Sequence, residues 1–111
     1  MTKYNSRRVT IDGYTFDSVR ESQRYGELKL MEKAGEIRNL DVHPEIELQP
    51  RFFYLGERIR AIKYEADFSY VENGMKVFED LKGCETQLFR VKWKMLLYQF
   101  RNFPVEFRIV R

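Results

Sequence analysis

The sequence has very little of the cysteine and histidine on which disulfide, zinc and triad chemistry depend. Among 111 residues there is one cysteine, Cys84, and one histidine, His43. A single cysteine excludes an internal disulfide, and no Cys/His cluster has the spacing of a structural zinc site. A lone histidine gives poor support for a catalytic triad. We therefore interpret His43, which precedes Pro44, as structural or surface-exposed, and Cys84 as a small packing residue.

Long apolar runs, repeats and Pro/Gly/Ser linkers are absent as well. No window approaches the roughly 18 to 20 apolar residues of a membrane span, and no apolar segment follows the basic N-terminus as it would in a signal peptide. We expect a cytoplasmic protein with no membrane partner. The length is typical of one domain, so residues 1–111 are predicted to form a single domain.

The charge is mildly basic and unevenly distributed. The net charge is +3, and Lys and Arg concentrate near the two ends. The first ten residues contain Lys3, Arg7 and Arg8 without an acid, and residues 86–111 contain six Lys or Arg against one acid, Glu106. Basic ends around an acidic middle suit a surface that holds a phosphate backbone near an anionic site. Solvated charges that keep the protein soluble explain this distribution equally well.

Turn and cap signals predict the order of the elements. Asp12-Gly13 indicates a small hairpin, which makes residues 1–16 an N-terminal arm and residues 17–111 the core. Ser18 with Glu21 three residues later is a capping box and predicts a helix from about Val19 to Ala34. Thr86 is predicted to cap a second helix, over residues 87–102. The resulting order of hairpin, helix, three strands, helix and strand predicts an α/β fold with a mixed central sheet flanked by helices.

The segment around Asn73-Gly74 carries the strongest functional signal. A two-residue type I′ loop there fixes the strand register, because Glu72 and Met75 must lie opposite each other. The same register places Asp67 opposite Asp80. A slip of one residue would bring the neighbouring acid, Glu79, beside Asp67 instead, and the sequence leaves this open.

The alternation of side chains along these two strands predicts one functional face and one core face. The predicted functional face consists of Glu65, Asp67, Ser69, Phe78, Asp80 and Lys82, with Glu65 opposite Lys82. The predicted core face includes Tyr64, Ala66, Phe68, Tyr70, Val77 and Leu81.

Two opposed carboxylates repel each other unless another charge neutralises them. Directly opposed residues have Cβ atoms roughly 4.5 to 5.5 Å apart, and like charges at this distance are destabilising. A shared Mg²⁺ would neutralise Asp67 and Asp80, and Lys82 could orient a water or stabilise charge on phosphorus. In the alternative interpretation Asp67 is merely exposed, and Glu65 and Lys82 form a surface ion pair worth under ~1 kcal/mol.

Asp67 followed by Asp80-Leu81-Lys82 on the next strand resembles the PD-(D/E)XK nuclease superfamily, and the order of elements from Ser18 to Val110 is similar. The segments "FDSVRES", "EIRNLDVHPEIELQP", "ADFSY" and "EDLKGCET" resemble a family of small phage-borne proteins within it, described as uncharacterised or as resolvase-like nucleases. One departure is that Ala66 stands where the superfamily often has proline.

The resemblance implies a restriction-endonuclease-like fold and a Mg²⁺-dependent endonuclease, with Mn²⁺ as a possible substitute and no organic cofactor. Asp67, Asp80 and Glu21 would bind the metal, and Lys82 would position the attacking water. Glu21 has a second interpretation as the capping-box residue of the first helix. The implied substrate is branched DNA such as a Holliday junction, cut by a homodimer in the cytoplasm of a bacterial host during DNA recombination.

Further residues are candidates for DNA contact, each with a structural alternative. They are Lys92, Arg90, Lys94, Thr86, Gln87, Lys3, Arg7 and Arg8. Lys92 lies among apolar positions of the second helix, so it either extends to solvent or reaches the scissile phosphate. Arg90 and Lys94, with Arg101, form either a solvated strip or a DNA contact. Thr86 and Gln87 either cap the helix or bind phosphate.

Two rival functions remain open on the sequence. One is a nicking or end-processing nuclease of the same fold, without preference for a DNA structure. The other is a catalytically silent nucleic-acid-binding protein. The apolar residues around Trp93 are interpreted as core or dimer interface.

Overall fold

The computed structural model describes residues 7–111, and this part of the chain is mixed α/β with two helices and several small sheets. The strands are β1 Val9–Ile11, β2 Tyr14–Phe16, β3 Arg38–Val42, β4 Glu45–Gln49, β5 Phe52–Tyr54, β6 Glu57–Ile59, β7 Ile62–Glu65, β8 Phe68–Glu72, β9 Met75–Leu81 and β10 Val105–Val110; the helices are α1 Val19–Lys33 and α2 Gln87–Gln99. Neither helix is long and apolar enough to cross a membrane.

The largest sheet has four strands in the order β10-β9-β8-β3. Strands β3, β8 and β9 pair antiparallel, whereas β10 runs parallel to β9. A parallel neighbour requires a crossover, and α2 supplies it between β9 and β10. The predicted mixed sheet is therefore confirmed. The other strands form the two-stranded sheets β1-β2, β4-β7 and β5-β6.

Two hydrophobic clusters lie on opposite faces of the four-stranded sheet. Tyr25 and Leu28 of α1 share the first cluster with Val77 of β9, and Phe78, the next residue of β9, packs against the second. Successive side chains of a strand point to opposite faces. Since Leu96 of α2 belongs to the second cluster, the two helices cover different faces.

The predicted hairpins and caps are confirmed. Asp12 and Gly13 have φ of 55° and 83°, and Asn73 and Gly74 have φ of 52° and 77°, as a type I′ turn requires. Helix α1 spans Val19–Lys33 with Ser18 as its N-cap, close to the predicted bounds. Helix α2 ends at Gln99 rather than at residue 102, so Arg101 lies beyond it and does not extend the strip of Arg90 and Lys94.

The strand predicted over residues 42–55, with an interruption near Pro50, is present as β4 and β5 on the two sides of Pro50, but Val42 belongs to β3, which was not predicted. Strand β3 precedes this segment and ends at Val42, and His43 then adopts φ 56°, outside the extended region. Pro44, which follows, lacks a backbone donor. The segment continues as two shorter strands, β4 and β5.

The register of β8 and β9 matches the prediction over the length of the ladder, which ends at Phe68 opposite Glu79. The predicted pair of Asp67 and Asp80 is not part of it. Asp67 lies at a bend between β7 and β8, and its N–H donates to the carbonyl of Glu79 at 3.1 Å. Two residues of one strand, Asp67 and Phe68, thus lie opposite one residue of the other, Glu79, which is the arrangement of a β-bulge.

The bulge shifts the alternation of side chains upstream of Asp67 by one residue. Tyr64 and Ala66 consequently belong to the second cluster, with Phe89, and not to the face of Phe68 where the sequence predicted them. Glu65 lies opposite Glu45 in the β4-β7 ladder and not opposite Lys82.

Candidate functional site

Asp80 and Lys82 lie at the C-terminal end of β9 on the α2 side of the sheet. Asp80 is 2 % exposed, and its Oδ1 is 3.3 Å from Nζ of Lys82. Nζ also lies 4.4 Å from the centre of the Phe89 ring, so the ammonium is held between a helix and a carboxylate. Burial raises the pKa of Asp80, and the positive charge of Lys82 opposes this rise. Oδ2 of Asp80 is buried and has no hydrogen-bond partner within residues 7–111.

Asp67 is fixed by hydrogen bonds on both its main chain and its side chain. Its Oδ2 accepts from the N–H of Leu81 at 2.7 Å, and its carbonyl accepts from the N–H of His43 at 3.0 Å. Burial raises the pKa of Asp67, while the Leu81 bond and the charge of Lys82 lower it. Lys82 therefore stabilises the ionised forms of both aspartates.

Glu21 stands in the first turn of α1, where Oγ of Ser18 accepts its N–H at 3.1 Å. The capping bond uses the backbone of Glu21, and its Oε1 is buried without a hydrogen-bond partner in the described part of the chain. Burial and the negative charges of Asp67, Asp17 and Asp80 raise the pKa of Glu21 to about 7. The pKa of this carboxylate thus depends on both predicted metal ligands, while its backbone N–H takes part in the cap of α1.

The donor set fits a hard divalent cation. Mg²⁺ prefers carboxylate oxygens, and Glu21 and Asp80 each present a buried oxygen that lacks a partner. The mutual repulsion that raises the pKa of Glu21 is relieved by a positive charge. Within residues 7–111 no three His, Cys, Asp or Glu side chains form a preformed ligand set. An ion shared by all three carboxylates therefore requires their side chains to move closer together.

The sequence left open whether Glu79 or Asp80 lies beside Asp67. In the structure Glu79 has a different set of contacts from Asp80. Its side chain is fully buried and receives Nε and a terminal nitrogen of Arg24 at 2.7 and 2.9 Å. The hydroxyl of Tyr70 donates to the same carboxylate at 2.7 Å. Glu79 is thereby neutralised on the α1 side, and only Asp80 contacts Lys82. In the sequence, the only indication of a role for Arg24 was its position three residues after Glu21, on the same face of α1.

His43, which the sequence indicated to be structural or surface-exposed, lies beside Asp67. Its ring lies 5.8 Å from that of Phe16, which fits the structural interpretation. Its charge, when present, lowers the pKa of Asp67. Its N–H donates to the carbonyl of Asp67 at 3.0 Å, which holds it beside the site.

Three of the predicted DNA contacts, Thr86, Gln87 and Lys92, lie in α2 or at its N-cap. Oγ1 of Thr86 accepts from the N–H of Phe89 at 3.1 Å, so the predicted cap is confirmed. Gln87 is exposed at the first position of the helix. Nζ of Lys92 donates to the carbonyl of Lys63 at 2.9 Å and fastens α2 to β7, an arrangement that neither interpretation of Lys92 anticipated.

The remaining basic candidates are on the surface. Arg90 is exposed, with Nε 3.7 Å from a carboxylate oxygen of Glu85, and Lys94 is also exposed.

In the N-terminal arm, Arg7 is exposed, and Nε of Arg8 is 3.9 Å from Asp17 in a pair that is largely in solvent. Lys3 lies outside the described residues.

Comparison with known families gives one match over the whole chain. Residues 1–111 match a family described as a protein of unknown function, DUF1064. The chain belongs to the DUF1064 family. No curated protein matches this DUF1064 chain, and the family's description names no activity. Any function proposed for it therefore depends on the geometry described above.

We predict that Arg24→Met lowers the free energy of unfolding by about 3 kcal/mol, because it leaves the buried Glu79 carboxylate without its cation. Urea denaturation at pH 7 measures this change. Arg20→Met is the matched control, since Arg20 is exposed and its only hydrogen bond within the described residues is a long one to Val110. Equal stability of the two variants would contradict the role assigned to Arg24.

We also predict a pH effect from Glu21. Its pKa rises from 4.5 to about 7 on folding, so folding takes up protons between these values, and the free energy of unfolding falls as pH rises through this range. Glu21→Gln cannot ionise, so its stability relative to wild type should increase from pH 4.5 to pH 7 in metal-free buffer. Chemical denaturation over this pH series tests the trend. The exposed Glu36→Gln should show a constant offset, and the same constant offset for Glu21→Gln would refute the prediction.

Proposed function

We propose that this DUF1064 protein is a metal-dependent endodeoxyribonuclease that hydrolyses phosphodiester bonds. The observation that carries the proposal is the buried Asp80, which keeps one oxygen without a partner while Lys82 lies 3.3 Å from the other. The oxygen without a partner is available to a ligand. The charges of Asp67 and Asp80 act on Glu21, whose pKa they raise, which adds two further carboxylates to the same region.

Each residue has a role in this proposal. Asp67, Asp80 and Glu21 would hold Mg²⁺, or Mn²⁺ in its place. The metal, when bound, supplies Lewis-acid stabilisation and a more acidic water. The Leu81 N–H donates to Oδ2 of Asp67 and orients the carboxylate, which leaves Oδ1 available to a ligand. Lys82 lies beside Asp80 and can orient a water or stabilise negative charge that develops on the phosphoryl oxygens.

The arrangement of elements supports a restriction-endonuclease-like fold, which is part of the proposal. In the PD-(D/E)XK superfamily that the sequence resembles, an acidic helix precedes a hairpin with the metal ligands, and a second helix leads to a final strand. Here α1 carries Glu21, β8 and β9 form the hairpin, and α2 leads to β10. Asp80 lies on β9 and Lys82, two residues further on, directly follows the strand, as the motif requires.

Branched DNA, such as a Holliday junction, is the proposed substrate, and a homodimer is the proposed assembly. An exposed apolar stripe along α2 supports the dimer: Leu88, Val91, Met95 and Tyr98 are 64, 55, 41 and 68 % exposed. Their spacing of three and four residues places them on one helical face. Two active sites in one assembly would allow two strands of a junction to be cut. The proposed setting is phage DNA recombination in the host cytoplasm.

Two alternatives remain distinct proposals. A nicking or end-processing nuclease would use the same residues without preference for branched DNA. A nucleic-acid-binding protein without catalysis would have no use for the partnerless oxygen of Asp80, and this atom favours the enzyme.

We predict that the wild-type protein cleaves a four-way junction in Mg²⁺ and that Asp80→Asn lowers the rate by about 10²-fold or more, because loss of a metal ligand removes several kcal/mol of stabilisation. Asp41→Asn changes an exposed acid of β3 and should leave cleavage unchanged. Gel-based assays on junction, nicked, duplex and single-stranded DNA measure the rates, and a chelator should stop the reaction until Mg²⁺ is restored.

Asp80→Asn cleaving as fast as wild type would refute the proposed site. No cleavage of any substrate by the wild type, with binding retained, would favour the silent binding protein. Linear duplex cleaved as fast as junctions would leave a nuclease but remove the preference for branched DNA.

A further inference from the structure

The hairpin of β5 and β6, with its flanking arginines, stands apart from both hydrophobic clusters. We call residues 51–60 the aromatic hairpin. Its strands pair with each other, Phe52 with Ile59, Phe53 with Arg58 and Tyr54 with Glu57, and they form a two-stranded sheet of their own. None of its residues is part of either core cluster of the described chain.

The aromatic hairpin exposes an unusual amount of apolar surface for its size. Phe53, Tyr54 and Leu55 are 66, 62 and 89 % exposed, and Phe52 is 42 % exposed. A two-stranded hairpin is marginally stable by itself in water, and contiguous exposed apolar residues mark interaction surfaces. We therefore expect a partner to cover this surface.

Charge indicates which partner this is. Arg51, Arg58 and Arg60 are all exposed, and within residues 7–111 none of them takes part in an ion pair. The hairpin contains one acid, Glu57. Three unpaired guanidinium groups complement a phosphate backbone. A second copy of this chain fits poorly, because a symmetric contact through this surface would bring like charges together.

The pairing of Phe53 with Arg58 adds a specific chemistry. Directly opposed residues of a hairpin point to the same face, so an exposed aromatic ring and a free guanidinium lie side by side. A ring on which a base can stack, next to a cation that binds the backbone, is the combination used to bind unpaired nucleotides. Unpaired or distorted nucleotides occur at branch points and in single strands.

The hairpin continues an arm that begins at the candidate site. One end of the β4-β7 ladder is the pair of Glu65 and Glu45, two residues before Asp67. The other end is the pair of Gln49 and Ile62, which flank the aromatic hairpin. Arg58 precedes Asp67 by nine residues, a chain that spans at most ~30 Å when fully extended. This length corresponds to roughly nine base pairs of duplex at 3.4 Å each.

We propose that the aromatic hairpin is a DNA-binding arm, in which Arg51, Arg58 and Arg60 contact phosphates and Phe53 stacks on an unpaired base. The inference rests on the proposed function, because it assigns a contact to the same DNA that the carboxylate site would cleave. The arm holds the DNA within one helical turn of the scissile bond and favours substrates with unpaired nucleotides.

Binding of the full-length protein in chelator, where no cleavage occurs, tests the arm separately from the site. Fluorescence anisotropy gives Kd for a four-way junction, a single strand and a duplex over a range of salt concentrations. Phe53→Ala should weaken single-strand binding about 5- to 100-fold and duplex binding much less, and Phe53→Tyr should restore it. Arg58→Ala should weaken binding to all three and lower the slope of log K against log salt by roughly 0.7 to 0.9.

Two variants serve as matched controls outside the hairpin. Arg38→Ala removes an exposed arginine of β3, and Leu30→Ala removes an apolar side chain of α1 that is 69 % exposed. Both should bind DNA as the wild type does. Thermal unfolding followed by circular dichroism should be the same for all variants, so that a change in Kd reports on the contact.

The possible outcomes separate the arm from the nuclease. If the wild type binds DNA and Phe53→Ala and Arg58→Ala bind it equally well, the arm is refuted and the carboxylate site is unaffected. If Phe53→Ala converts a wild-type dimer into a monomer in sedimentation, the surface is a protein interface and the proposal is overturned. If the wild type binds none of the three DNAs, the arm and the proposed function fail together.

Discussion

The ion pair between Glu79 and Arg24 determines how the rest of the candidate site is organised. It neutralises one of two adjacent acids on β9 inside the protein, with Tyr70 as a further donor. A buried carboxylate without such partners would be strongly unfavourable. Because neighbouring strand residues point to opposite faces, the same pair leaves Asp80 on the α2 side, beside Lys82. One strand thus supplies an anchor for α1 and an acid of the candidate site.

The candidate site is defined by charge that the protein does not fully compensate. Burial raises the pKa of both Asp67 and Asp80, and Lys82 offsets this for each of them. Glu21 has no cation of its own in the described residues, and its pKa is about 7. Three carboxylates with one ammonium form a region of excess negative potential that a divalent cation would stabilise. This imbalance, together with the partnerless oxygens, is the physical basis of the proposed metal site.

Local signals in the sequence were sufficient for the turns, the caps and most of the β8-β9 register. Asn73-Gly74 imposes a positive φ at both positions, and this alone sets the pairing from Glu72 to Phe68. The β-bulge at Asp67 was not predictable in this way, since it depends on β7 leaving to pair with β4. Strand β3 also depends on long-range pairing, with β8, and it ends just before the positive φ of His43. The resemblance to nucleases suggested the candidate residues, and the contacts of Glu79 distinguish it from Asp80.

The most direct test of the account is calorimetric titration of the metal-free protein with Mn²⁺ or Mg²⁺, without DNA. Because Asp67, Asp80 and Glu21 would share the ion, the wild type should bind it, Asp80→Asn should bind it at least about tenfold more weakly, and Asp41→Asn should match the wild type. Absence of binding in the wild type, or equal binding by Asp80→Asn, would contradict the claim that these carboxylates form a metal site.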